Sequence, residues 1–331
     1  MSTGVVAGKF LPPHRGHKHL IDMARAAVDH LHVLVCARDD QPIDGSTRAA
    51  WLREIHPGVD VHLVDDDIPD DQGDDTSRAW AKRTREVLKR APDLVFSSEA
   101  YGTRYAHHLG ARHVSVDPER RAFPVSGTAV RADPAGHWRF LEPCVRAYYV
   151  QRICVVGAES TGTTTLARAL GQHYGTAWVP EFGRRFCEEQ MATGAPHDWR
   201  TDDFVGIATQ QQADEDAAAR HSGPLLICDT DALATSIWHE RYLGYRSPEV
   251  EALAAARHYA LYVLTMDDIP FVQDGTRDGE HVRGWMTQRF REDLARRPEP
   301  WIAVTGSHQR RLTAAGTHID ALIEPRPAHA R

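Results

Sequence analysis

The feature that most constrains the fold is a junction at residues 153–170. Ile153-Cys154-Val155-Val156 is a short apolar, β-branched run. It passes directly into Gly157-Ala158-Glu159-Ser160-Thr161-Gly162-Thr163-Thr164-Thr165 and then into Leu166-Ala167-Arg168-Ala169-Leu170. A buried strand that turns through a glycine loop into a helix leaves backbone N–H groups without intrahelical partners, and those donors suit a phosphate. The phosphate-loop pattern is Gly, four residues, Gly, Lys, Ser or Thr. Gly157 and Gly162 have that spacing and Thr164 takes the hydroxyl position, but Thr163 stands where the lysine belongs. The two glycines fix the register, so the missing cation cannot be aligned away. The backbone donors do not depend on that lysine.

A second junction of the same kind opens the chain. Gly4-Val5-Val6-Ala7 reads as a buried strand, Gly8 to His17 (GKFLPPHRGH) as a loop, and Lys18 to His30 as an amphipathic helix. Gly8 and Gly16 permit close backbone approach to a ligand, and Pro12-Pro13 stiffen the loop. His14 and His17, three apart at a helix start, point their rings the same way beside free N–H groups, a place for an anion. Further strands are expected at 32–36, 93–97, 113–116, 225–228, 261–265 and 301–304, and helices at 76–90, 166–174, 202–220, 248–258 and 284–297. Strands alternating with helices predict an α/β chain with parallel sheets. Its 331 residues suffice for about two domains. The expected division is 1–148, a Rossmann-like domain, and 149–331, a phosphate-loop domain.

The net charge of −7, without a basic run, argues against a nucleic-acid partner. No apolar run reaches the ~18 residues of a membrane span, and no signal peptide is recognised, so a cytoplasmic location is expected. The five cysteines form no CxxC pair and read as reduced, buried thiols. The acidic run 65–75 reads as a solvated loop and the tail from Glu324 as frayed. Homo-oligomerisation is compatible with the composition and not dictated by it.

Gly8 to His17 resembles the GxFxPxHxGH signature of nucleotidyltransferases that move an adenylyl group from ATP. Val125-Ser126-Gly127-Thr128-Ala129-Val130-Arg131 fits that family's later ISxTxxR motif. The resemblance implies in-line attack on the α-phosphorus of ATP with pyrophosphate leaving, so that the protein positions groups and stabilises charge. His14 and His17 would donate to the triphosphate, with Gly8, Lys9, Phe10 and Gly16 around it. Ser126, Thr128 and Arg131 would hold the pyrophosphate, and Mg²⁺ would be carried mostly by phosphates. Residues 47–55, 96–101 and 116–121 look specifically like bifunctional nicotinamide-nucleotide adenylyltransferases and ribosylnicotinamide kinases of the NadR type. Some members carry an N-terminal helix-turn-helix. This chain starts at the first strand, so a member without that segment and without a repressor role is expected. Trp51 and Trp80 could stack on a nicotinamide or adenine ring.

In the second half, Leu225-Leu226-Ile227-Cys228-Asp229 is an apolar strand ending in an acid, which with Thr164 could order Mg²⁺. The resemblance implies an aromatic that stacks on nicotinamide, taken as Trp178, and acids, Glu181 and Asp231, that face ribose hydroxyls. Asp229 or Glu181 would take the 5′-hydroxyl proton, and Arg184 would add charge. Residues 157–165 would bind a second ATP, and Arg277 and Arg283 would act from a lid over 274–283. The implied partners are ATP, nicotinamide mononucleotide, ribosylnicotinamide and NAD. Two alternatives stay open: the second domain is a nucleotide sensor without transfer activity, or the first domain uses another acceptor, such as phosphopantetheine.

Overall fold

The computed structural model describes residues 1–68, 73–192, 197–273 and 279–323. Part of the acidic run, the 274–278 portion of the expected lid with Arg277, and the tail from Glu324 lie outside the described residues. The chain divides into two compact units, Met1–Val145 and Arg146–Arg331.

The first unit runs β1 (Thr3–Gly8), α1 (Arg15–Ala27), β2 (His30–Ala37), α2 (Gly45–Ile55), β3 (Asp60–Asp65), α3 (Asp74–Leu88), β4 (Leu94–Ser97), α4 (Tyr101–Leu109), β5 (Arg112–Ser115) and α5 (Gly127–Ala132). Helix α6 (Pro143–Tyr149) spans the division. The strands form a parallel sheet in the order β3-β2-β1-β4-β5. Alternate side chains serve opposite faces. Val6, Val33, Val35 and Phe96 pack with α1 and α2 residues such as Leu20, Ile21 and Leu52. Val5, Leu34 and Val95 pack with Ala81, Tyr105 and Leu109 of α3 and α4. Both faces are therefore covered, as a parallel sheet requires.

The second unit continues with β6 (Gln151–Gly157), α7 (Thr163–Tyr174), β7 (Trp178–Val179), α8 (Phe182–Met191), α9 (Thr201–Ala219), β8 (Leu225–Asp229), α10 (Ala232–Leu243), α11 (Pro248–Ala256), β9 (Leu261–Thr265), α12 (Arg283–Arg296), β10 (Trp301–Val304) and α13 (His308–Ile323). Its parallel sheet has the order β10-β9-β6-β8-β7. Ile153, Val155, Ile227 and Val263 pack with Leu166 and Leu170 of α7 and Ile319 of α13.

The fold is α/β with two parallel sheets, as the alternation of patterns predicts. In each sheet the first strand lies in the centre, and the chain winds away from it in both directions. The loops after β1 and β6 thus sit at the switch points, where crevices form outside the carboxyl ends of strands. The expected strands lie inside or within a residue of the observed ones. Strand β3 and helices α2, α4, α5, α6, α8, α10 and α13 were not expected, and β7 is only two residues long.

The loop after β6 has no room for a side chain at its first glycine. A Cβ on Gly157 would lie 2.3 Å from Thr265 Oγ1, 2.6 Å from Thr161 Oγ1 and 2.9 Å from the Thr265 carbonyl oxygen. Gly157→Ala should therefore destabilise the second unit by about 1–3 kcal/mol through overpacking. Denaturant unfolding of the variant checks this, and an unchanged midpoint would contradict the packing described.

Candidate functional site

In the first unit the loop between β1 and α1 is held from beneath. Arg48, fully buried on α2, donates from Nη1 to the carbonyl of Lys9 and, at 3.2 Å, to that of Cys36. Its Nε donates to the Asp44 carbonyl at 3.3 Å and its Nη2 to Gln41 Oε1. Tyr101 donates its hydroxyl to the Ala7 carbonyl at 2.9 Å. Buried carbonyls need donors, and a guanidinium offers five in a fixed fork. The second motif docks on the same loop. Arg131 donates to the Leu11 carbonyl and, at 3.3 Å, to Thr128 Oγ1. A Cβ on Gly127 would lie 2.6 Å from the Leu11 carbonyl oxygen, so the close approach requires glycine. Ser126 caps α5, accepting from the Ala129 N–H at 3.1 Å.

Both motifs line one cavity of about 700 Å³. Gly8, Lys9, Phe10, His14, Gly16, His17, Ser126, Thr128 and Arg131 all face it, and so does Trp80. The histidine rings stack with centroids 3.7 Å apart, and Phe10 meets His17 edge-on at 5.0 Å. His14 Nδ1 accepts the His17 backbone N–H at 3.4 Å, which leaves its proton on Nε2. His17 Nδ1 is buried without a partner. Burial, with the nearby Arg120, pushes His14 down to about 4. Burial, then His14 and Arg120, hold His17 well below the usual imidazole range. Two neutral rings, each with one N–H to offer, therefore line the cavity.

Trp51 does not join them. It is 8% exposed on α2 and outside the lining, which corrects its expected role as a stacking surface. Sequence reasoning gave no role to Arg48 or to Arg120, which lines the cavity paired with Glu99 at 3.1 Å.

In the second unit the loop after β6 is also braced from within. Arg311, 3% exposed on α13, donates to the carbonyls of Thr161, Gly306 (3.0 Å) and Met266 (2.9 Å) and pairs with Asp268. Thr161 has no exposed surface, and its hydroxyl bonds the Ala158 carbonyl and Thr265 Oγ1, each at 2.7 Å. Thr161 is thus a brace and not the ligand group expected. Arg283 donates to the carbonyls of Ser160 at 3.3 Å and Ile269 at 3.1 Å, so it clamps the loop instead of reaching over the site as a lid residue.

Gly157, Glu159, Ser160, Gly162, Thr163, Thr164 and Thr165 line a cavity of about 140 Å³ together with Glu181 and Arg184. Asp229 ends β8 beneath Thr163 and Thr164. It is 1% exposed, and neither carboxylate oxygen completes a hydrogen bond. Burial pushes its carboxyl up to about 6, against the Thr164 hydroxyl, the Arg184 charge and the Thr163 hydroxyl. An unpartnered carboxylate beside a hydroxyl at a strand end fits Mg²⁺. Among the described residues no cluster of three or more His, Cys, Asp or Glu could hold a metal.

Two expected contacts are corrected here. Asp231 is buried as the cap of α10, accepting from the Ala234 N–H at 3.0 Å and the Tyr262 hydroxyl at 2.7 Å, so it does not face the cavity. Trp178 packs against the core beside α7, with Arg168 5.4 Å above its ring. The aromatic wall comes from Trp199, Phe204, Trp238 and Tyr242. Trp199 stacks on Tyr242 at 4.9 Å, and Tyr242 on Trp238 at 6.1 Å. The i, i+4 spacing of Trp238 and Tyr242 is a readable signal, whereas Trp199 joins them only through the fold. Arg241 lies 4.9 Å over both of those rings and pairs with Glu159 at 3.0 Å.

Residues 152–311 match the AAA domain family. The chain is similar to the trifunctional NAD biosynthesis/regulator protein NadR of Escherichia coli (strain K12), with 29% identity over 83% of this chain and 72% of that protein. It is similarly related to the NadR of Salmonella typhimurium (strain LT2), with 28% identity over the same shares. A solved NadR structure in complex with NR superposes with a TM-score of 0.78 at 20% identity, covering 100% of this chain and 98% of that one. A second, in complex with NAD and AMP-PNP, gives 0.76 at 18% identity with the same coverage.

The depressed histidines have a consequence for stability. Unfolded imidazoles take up protons near 6.5, whereas His14 does so only near about 4 in the folded chain. Between those values the unfolded state binds more protons, so stability falls as pH falls. A His14→Gln/His17→Gln variant should lose less stability than the native chain between about pH 7 and about pH 5, measured by denaturant unfolding of the first unit. Equal losses would mean that the rings take up protons in the native fold as readily as in the unfolded chain.

Proposed function

We propose that this chain, homologous to NadR over most of its length, is a two-site enzyme of NAD biosynthesis. Its first unit would adenylylate nicotinamide mononucleotide, and its second would phosphorylate ribosylnicotinamide. The observation that carries the first assignment is the meeting of the two motifs around one cavity, with two stacked neutral imidazoles on its wall. A phosphate oxygen of the mononucleotide would attack the α-phosphorus of ATP. The bond to the α–β bridging oxygen would break, pyrophosphate would leave, and no proton need move. His14 and His17 would donate their N–H groups to the triphosphate, while Lys9 and Arg131 would meet the leaving oxygens, a fixed arrangement of donors where charge develops. Trp80, which lines the same cavity, would stack on a ring there.

In the second unit the N–H groups at the start of α7 would hold the phosphates of ATP. Thr164 and Asp229 would help hold Mg²⁺, which would supply charge neutralisation at the nucleotide. Glu181 lines the cavity, whereas Asp229 lies beneath it, which favours Glu181 as acceptor of the 5′-hydroxyl proton. The rings of Trp199, Trp238 and Tyr242 offer faces for a nicotinamide ring. Two observations favour a rival for this unit, a nucleotide sensor: Thr163 replaces the lysine, and 140 Å³ is small beside the ~300 Å³ or more of ordinary ligand pockets.

Mass-spectrometric product analysis with ATP, Mg²⁺ and either acceptor tests both assignments. His17→Ala should lower NAD formation by on the order of 10²-fold and leave phosphorylation of ribosylnicotinamide intact. Asp229→Ala should do the reverse. Undiminished NAD formation in the His17→Ala enzyme would remove that residue from the mechanism, and a native chain without phosphoryl transfer would favour the sensor.

A further inference from the structure

The proposed phosphoryl transfer needs a cation at the transferring phosphate, because Thr163 stands at the lysine position. The inference that follows rests on the reading of the second unit as a phosphotransferase. Among the described residues, Arg311, Arg283, Arg241 and Arg168 also come near the loop, but none of them lines its cavity. Arg311 and Arg283 donate to loop carbonyls. Arg241 neutralises Glu159. Arg168, exposed on α7, lies over the Trp178 ring.

Arg184 differs. Among the described residues it is the one lysine or arginine that lines the cavity, which it shares with Gly162, Thr163, Thr164 and Glu181. It sits in the first turn of α8, one residue beyond Gly183. That helix start is anchored, because the Phe182 N–H donates at 2.8 Å to Oε1 of Gln211, which is 1% exposed on α9. The guanidinium thus comes from a fixed element into a space whose other wall is the loop. The geometry points to Arg184 as the catalytic group that replaces the missing lysine, holding the γ-phosphoryl oxygens of ATP across the cavity from the loop N–H groups. Its charge also reaches Asp229 and counters the effect of burial there.

The step balances without a further reactant. The 5′-hydroxyl oxygen forms a bond to the γ-phosphorus, and the bond to the β–γ bridging oxygen breaks. ADP departs with that electron pair, and the hydroxyl proton passes to Glu181. A planar guanidinium gives two parallel donors to oxygens whose charge is spread in the transition state, which an ammonium cannot do. Arg184 then acts on the phosphate and not on the nicotinamide acceptor.

The test uses the full chain with Arg184→Ala, Arg184→Gln and Arg184→Lys. Two quantities are read: steady-state transfer to ribosylnicotinamide, and the affinities for AMP-PNP and ADP with Mg²⁺. In the Ala and Gln variants kcat should fall on the order of 10²-fold or more, with KM for ribosylnicotinamide within about threefold of native. Their preference for AMP-PNP over ADP should fall about tenfold or more. Arg184→Lys should recover part of both losses. A folded Ala or Gln variant with native kcat and native preference overturns the assignment. So does a raised KM for ribosylnicotinamide at unchanged kcat, which would place Arg184 on the acceptor. If the native chain transfers no phosphate, the parent reading fails and the binding ratio decides. A preference absent from the native chain, or preserved in Arg184→Ala, overturns the inference, and a preference lost only in the variants supports it.

Discussion

Both candidate sites depend on the same interaction, a buried arginine donating to the carbonyls of a loop. For the N–H groups of a loop to face a ligand, its carbonyls must turn inward, where water cannot reach them. Each buried carbonyl left without a donor costs about 1–3 kcal/mol. Arg48 meets this need at Lys9 and Cys36, and Arg311 at Thr161, Met266 and Gly306. A guanidinium suits the task because its donors diverge in one plane and can serve three backbones at once. Helices α2 and α13 carry these residues far along the chain from the loops they hold, so the loops are shaped by tertiary structure and not by their own sequence alone.

The two sites treat charge in different ways. The first places neutral imidazoles, a lysine and an arginine around a wide cavity, and burial keeps the histidines neutral in the absence of an anion. The second is narrow, walled by aromatic rings, and carries the acids Glu159 and Glu181 beside a loop of threonines. Arg241 balances Glu159 while lying on the faces of Trp238 and Tyr242, so it joins the loop to the aromatic wall. Unpartnered polar atoms occur at both sites, His17 Nδ1 in one and the Asp229 carboxylate in the other. Leaving such groups unsatisfied is a local cost that a bound partner would relieve.

The central strands were legible because a strand covered on both faces is a continuous apolar run, as in Ile153–Val156 and Leu225–Cys228. The elements that escaped notice lack such a signal. Strand β3 lies at a sheet edge and leaves Leu63 48% exposed, so its pattern is weak. Helix α10 buries residues around much of its circumference and shows little amphipathic period, while α8 has no buried residue at all. Trp51 and Trp178 fall outside the cavities for a related reason, whereas Trp80 lines one. Trp51, Trp80, Trp178 and Trp199 are equivalent as letters, and only the direction of each side chain decides which ones reach a cavity.

The sequence by itself determined what local spacing can encode. It set two strand-loop-helix junctions, the pairing of His14 with His17 one turn apart, the register of Gly157 and Gly162, and the loss of a cation at Thr163. These follow from backbone geometry over a few residues, which needs no partner from elsewhere. Tertiary structure alone decided which charges are buried and what they face. Arg48 and Arg311 look like surface residues until packing encloses them, and Asp231 looks like a site acid until Tyr262 and the start of α10 claim it. Whether an ionisable side chain binds a ligand or holds the scaffold depends on what surrounds it, and those surroundings come from segments distant in sequence.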